Sequence, residues 1–241
     1  MSVRRRSFLQ GSLGASVLLL AAPAGLLMSK QAAAGVPARS SAGDARRILL
    51  LRSAGDDAFA RPALQMALRN GFSPVESLAL SERLVGSPGA IANVLIQCRG
   101  ARLIGIMDDC THTLLEEALR DLGGSVLCRG HHRGLLHEAA ASRHAFMTTG
   151  ATRGIGSALA RALTAHKAEF LVQEHSLFDD GVEARDAGSV PAAPWPQVLG
   201  TSYALMAAGL WTAGPVRAEQ RRGTAAEPPR SQAFVSLVAE V

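Results

Sequence analysis

With 241 residues and 25.1 kDa, the chain is long enough for one well-buried domain and too short for two large ones. Hydrophobic residues make up 48% and charged residues 19%, which excludes wholesale disorder. The formal charge of +5 is local. Arg4, Arg5, Arg6 and Lys30 fall in an acid-free stretch of 34 residues, and without these four the 25 basic residues become 21 against 20 acidic ones, so no nucleic-acid partner is expected.

Residues 1–34 have three parts: a basic start, an apolar stretch from Leu13 to Met28, and the small residues Ala32, Ala33 and Ala34. Gly14, Ser16, Pro23 and Gly25 interrupt the apolar stretch, which is short against the roughly 20 residues of a stable membrane-spanning helix. The run Arg5-Arg6-Ser7-Phe8-Leu9-Gln10 resembles the twin-arginine (Tat) export motif. That resemblance implies the Tat machinery and signal peptidase as partners, and a periplasmic or external destination for cargo exported already folded. Cleavage is expected after Ala34, with Ala24 as the alternative site and an uncleaved N-terminal anchor as the alternative fate. Folded export often accompanies a cofactor or a redox partner, and in that compartment thiols can oxidise.

Residues 35–44 read as a linker and 45–241 as a single domain. In chain order the pattern predicts a strand at Arg47 to Arg52, a helix at Ala58 to Asn70 ended by Gly71, and an extended segment at Val75 to Leu80. A helix at Pro88 to Cys98, a strand at Arg102 to Met107 and a helix at Thr111 to Leu122 follow. Ser125 to Cys128 reads as a short strand, His144 to Thr148 as another, Gly154 to His166 as a helix and Glu169 to Gln173 as a strand. Residues 176–196, with Asp179-Asp180-Gly181 and three prolines, read as a long loop before a helix at Val198 to Thr212. Arg217 to Arg230 is polar. Ala233 to Val241 closes the chain as a strand with Ala233, Val235, Leu237, Ala239 and Val241 on one face. This alternation predicts an α/β domain with a mostly parallel, Rossmann-like sheet covered by helices, and no membrane span after signal cleavage.

Thr149-Gly150-Ala151-Thr152-Arg153-Gly154-Ile155-Gly156 follows a strand and opens a helix, as a diphosphate site requires. The segment resembles the nucleotide-binding turn of short-chain dehydrogenases, which makes Gly150, Arg153, Gly154 and Gly156 candidate cofactor-binding residues. The rest of the chain departs from that family. About 100 mature residues precede the turn, and Tyr203, the only tyrosine, has Ala207 rather than lysine four residues on, so dehydrogenase chemistry is excluded. With Lys30 and Lys167 as the only lysines, no Walker motif exists. Gly200-Thr201-Ser202-Tyr203-Ala204 lacks the second glycine of a nucleophile elbow. The alternative for the glycine turn is a packing role alone.

Cys98, Cys110 and Cys128 lie between positions 98 and 144 together with His112, His131, His132, His137 and His144. Two groups stand after predicted strands, Asp108 to His112 and Cys128 to His132, where a parallel sheet brings strand ends to one edge. Cys110, His112, Cys128 and His131 are therefore candidate metal ligands of the type zinc or copper prefers. Set against this are a Cys110–Cys128 disulfide and inert buried thiols with solvated loop histidines. Asp56-Asp57 and Asp108-Asp109 offer carboxylates to the same edge, although capping of the following helices explains Asp57 and Asp109 equally well. Arg129, Arg133 and Arg153 stand near enough to grip an anion.

The expectation is a Tat-exported α/β protein that binds a small ligand or cofactor, or accompanies a redox partner. The competing reading is an enzyme with His131 or His132 as general base and Asp109 orienting it. A third is a ligand-free structural subunit that recruits a partner through the Trp195 to Trp211 region and an open terminal strand.

Overall fold

The computed structural model describes residues 47–53, 55–72, 75–136, 141–177, 190–223 and 232–241. Residues 1–34, read as a signal segment, residues 35–44, read as a linker, His137 and most of the loop expected at 176–196 lie outside the described residues. Five elements follow the sequence pattern closely: strand β1 (Ile48–Arg52), helix α1 (Asp57–Arg69), strand β2 (Val75–Ala79), helix α3 (Pro88–Gln97) and strand β3 (Arg102–Met107); the short helix α2 (Glu82–Val85) between β2 and α3 is an element the pattern does not predict. Helix α4 (Asp109–Asp121) starts because Asp108 caps it, accepting the Thr111 backbone N–H at 2.9 Å. Burial pushes the Asp108 carboxyl up, but hydrogen bonds from Thr111, joined by backbone N–H groups of the helix start, hold it below its ordinary value. The capping residue thus precedes Asp109, which becomes the first residue of the helix. Asp57 likewise opens α1 and pairs with Arg52 at 2.8 Å, while Asp56 at the N-cap is buried.

Strand β4 (Ser125–Gly134) is much longer than the pattern predicts, and is followed by β5 (Ser142–Thr148), a 3-10 turn at Gly150–Thr152, helix α5 (Ile155–Ala165) and strand β6 (Phe170–Ser176). Helix α6 (Trp195–Ala207) begins three residues before the predicted helix, and the polar stretch beyond it contains an edge strand, β7 (Glu219–Arg222). Strand β8 (Gln232–Glu240) ends the chain. All eight strands join one sheet in the order β2-β1-β3-β8-β4-β5-β6-β7.

The sheet is α/β but mixed. Only β1–β2, β1–β3 and β5–β6 pair in parallel, whereas β8 is antiparallel to both β3 and β4, and β4–β5 and β6–β7 are antiparallel. This corrects the expectation of a mostly parallel sheet. The terminal strand is the reason, because it enters the centre of the sheet rather than staying at an edge. Val235, Leu237 and Ala239 are buried in one alternation and Ser236 and Val238 in the other, the signature of a strand covered on both faces. Ala233, Val235, Leu237 and Ala239 do share one face as expected, with the opposite face buried as well, and the open terminal strand as a partner surface is corrected.

Helices α1, α5 and α6 cover one face over Leu50, Ile104, Phe146, Val172 and Val238. Helices α3 and α4 cover the other over Leu51, Leu103, Met107, Leu237 and Ala239. Helices α1 and α6 cross very closely at Gly200, where a Cβ would stand 2.2 Å from the Phe59 carbonyl oxygen. Packing therefore demands glycine there. Gly200→Ala is expected to cost about 3 kcal/mol, read as a lower urea midpoint at unchanged m-value.

Candidate functional site

The antiparallel β4–β5 pairing decides which candidate residues meet. β1, β3 and β4 end at one edge of the sheet, where β5, β6 and β8 begin. The glycine turn leaves the C-terminal end of β5 and so lies at the opposite edge, since Cys128 pairs with Thr148 and Arg133 with Arg143. Gly150, Arg153, Gly154 and Gly156 therefore do not join His131 at the far end of β4.

The turn itself already holds an anion. Glu174 of β6 is buried, and its Oε1 accepts the Gly154 N–H at 2.7 Å and the Thr148 hydroxyl at 3.2 Å, while Oε2 accepts the Gly156 N–H at 2.9 Å. Burial pushes the Glu174 carboxyl up, and these donors oppose the shift. Gly154 sits at φ +86°, and a Cβ there would meet the Gly214 backbone at 2.8 Å. The N–H groups that a dinucleotide phosphate would need are filled from within.

Strand β4 runs straight through the segment read as a loop, and its alternation splits the second His/Cys group. Cys128, Gly130 and His132 face α6, whereas Arg129, His131 and Arg133 face the other side. This corrects the metal set. Cys128 is fully buried, with its Sγ 3.7 Å from the Tyr203 hydroxyl, and burial pushes its thiol up to about 12. Cys110 is exposed on α4, and all three cysteines are free thiols. Among the described residues no three His, Cys, Asp or Glu side chains converge to hold a metal ion. His112 is buried on α4, its Nε2 3.7 Å from Glu116, which also pairs with Arg129 at 3.1 Å. Burial pushes the His112 imidazole down, aided by Arg129 and His131 and opposed by Glu116 and Asp109.

On the α4 side the strand registers set two rows of side chains across four strands. One row is Val235, His131, Ala145 and Gln173, and the next is Ala233, Arg133, Arg143 and Leu171. Helix α4 reaches this face as far as Arg129 through Glu116. Among the described residues no helix packs over the β5 and β6 positions beyond it. These rows floor a cleft of about 520 Å³, with Asp109 on its rim. Ala145, the smallest member of its row, lies between His131 and Gln173 and makes the floor dip there. Arg133 and Arg143 stand directly opposite each other across the β4–β5 pair.

Of the residues singled out as acid or base, Asp109 and His131 share this cleft. His132 touches it only along its strand. Its side chain lies on the other face, stacked on Trp195 with ring centroids 5.2 Å apart, so Asp109 cannot orient it. Sequence reasoning missed Arg143, Ala145 and Gln173. Arg143 and Ala145 on β5 and Gln173 on β6 are partly exposed positions between buried neighbours, an alternation of burial that the residue types themselves do not show. Trp195 is buried and its indole donates to the Leu135 carbonyl at 3.2 Å, while the Trp211 indole donates to the Arg153 carbonyl at 3.0 Å. Neither indole is an exposed partner anchor, which corrects that expectation.

Comparisons with protein-family models, with curated proteins and with solved structures found no match for this chain. Among the described residues no helix is long and apolar enough to cross a membrane.

Proposed function

We propose that this is a Tat-exported protein that binds a small anionic ligand, a carboxylate or a phosphate, over Ala145 in the cleft between α4 and the β4–β5–β6 floor. The observation that carries the reading is the registered pair of rows, which sets His131, Arg133, Arg143 and Gln173 around the shallow floor position at Ala145. Guanidinium groups are suited to such anions because they present planar paired donors. Ala145, Leu171, Ala233 and Val235 supply an apolar bed for a short carbon skeleton. Export rests on the twin-arginine segment, and it would deliver the folded cleft to the periplasm.

Titrating the protein with inorganic phosphate and with succinate, followed by amide shifts, tests this. Shifts at His131, Arg143, Ala145 and Gln173 are expected, with affinity lowered about tenfold in Arg143→Ala, the worth of one charge-assisted hydrogen bond. Ala145→Phe fills the dip and should abolish the shifts while leaving the fold intact, because Ala145 is only half-buried. Unchanged shifts in Ala145→Phe would sink the assignment.

A further inference from the structure

On the face away from the cleft, six buried side chains touch in series. Ser142 Oγ lies 2.9 Å from His144 Nε2, and His144 Nδ1 lies 2.9 Å from His132 Nδ1. His132 Nε2 is 2.6 Å from Ser236 Oγ, Ser236 Oγ is 2.6 Å from the Tyr203 hydroxyl, and that hydroxyl is 3.7 Å from Cys128 Sγ. The series crosses from β5 through β4 and β8 to α6. Gly130 makes room for it, since a Cβ there would lie 2.6 Å from both His132 Nε2 and Ser236 Oγ. The order of Ser236, His132 and His144 resembles a nucleophile, a base and an orienting group, but Ser236 has no exposed surface, so no substrate reaches it.

We propose that these six groups form a tautomer switch: one hydrogen-bond chain with two opposite donor directions, linking helix α6 to the strands that floor the cleft. Both imidazoles are neutral in this apolar setting, so each carries one ring proton. One proton, and only one, fits between the two Nδ1 atoms. If His132 Nδ1 holds it, His132 Nε2 accepts from Ser236, Ser236 accepts from Tyr203, Tyr203 accepts from Cys128, and His144 Nε2–H donates to Ser142. If His144 Nδ1 holds it, every donor reverses, and the chain ends with Tyr203 donating to Cys128. Mixed states bring two lone pairs together or leave a buried hydroxyl proton without an acceptor. Reversal moves no net charge, so it needs no titration. It stands independently of the anion-binding reading.

The two ends predict opposite outcomes, readable by long-range proton–nitrogen correlation spectra of the histidine rings. Tyr203→Phe leaves Ser236 with one partner, so Ser236 donates and His132 becomes the Nδ1–H tautomer. The milder Cys128→Ala acts in the same direction, because Tyr203 must then donate to Ser236. Ser142→Ala removes the acceptor of His144 Nε2–H and makes His132 the Nε2–H tautomer. Each bias is expected to be at least about fivefold. Ser142→Thr keeps a hydroxyl and should keep the wild-type pattern. The same His132 tautomer in Cys128→Ala and Ser142→Ala, both folded by their amide spectra, would overturn the proposal.

Discussion

Replacing Glu174 with alanine is expected to destabilise the fold by about 3 kcal/mol, and added formate or acetate to restore part of the loss. The carboxylate is the acceptor for the Gly154 and Gly156 N–H groups and the Thr148 hydroxyl, all in buried surroundings. Each buried donor left unmet costs about 1–3 kcal/mol, and relief of the desolvation that raises the Glu174 pKa returns part of that sum. Glu174→Gln keeps the shape but turns an amide N–H toward a backbone N–H, so it should lie between wild type and alanine. Urea unfolding with and without formate reads all three. A loss below about 1 kcal/mol in Glu174→Ala, or no anion effect, would mean that water satisfies the turn as well as the carboxylate does.

Stability should fall steeply as the pH drops below about 6.5, before the carboxylates are titrated. Burial pushes the His144 imidazole down to about 3 and that of His132 well below its ordinary value. Ser142, Ser236, Trp195, Phe146 and each other surround the two rings, and nothing acidic touches either of them among the contacts described. A histidine whose folded pKa is depressed is protonated first in the unfolded chain. Its contribution is therefore complete above pH 6.5 and is lost as pH falls toward the folded value. Each ring contributes about 1.4 kcal/mol per pH unit in that window. His112, also pushed down by burial, adds to the same slope. Asp56 and Glu174, pushed up by burial, act with the opposite sign in their own range near the unfolded carboxylate values. Urea midpoints at pH 7.5, 6.0 and 5.0 should fall in order, while the ring C–H shifts of His132 and His144 stay constant. Ring titration near pH 6.5 in the folded protein would contradict this.

How far the site was legible turns on β4. The sequence pattern stops the strand at Cys128 because Arg129, Gly130, His131, His132 and Arg133 carry no apolar alternation. The glycine there marks a close approach of side chains from neighbouring strands, not a turn. A reading that treats these residues as a loop lets Cys128 and His131 meet. The strand sends them to opposite faces. At Asp108-Asp109 the error is one residue: the cap is Asp108, which leaves Asp109 for the cleft rim. The Gly154 and Gly156 spacing does identify a turn built for an anion, but no local signal names the anion, since Glu174 arrives from a strand eighteen residues beyond Gly156.

The sequence by itself determined the strands β1, β2 and β3 and the helices α1 and α3 between them, the α/β class, and the glycine turn opening α5. These rest on local patterning, which acts within one element and its caps. Only the tertiary structure decided that β8 lies antiparallel in the centre of the sheet, and this follows from burial on both of its faces. It also separated the cleft from the glycine turn, supplied Glu174 to that turn, and aligned six polar side chains from four elements into one chain. Each of those facts depends on register and strand direction between segments distant in sequence, where a single choice of partner moves every side chain to another neighbour.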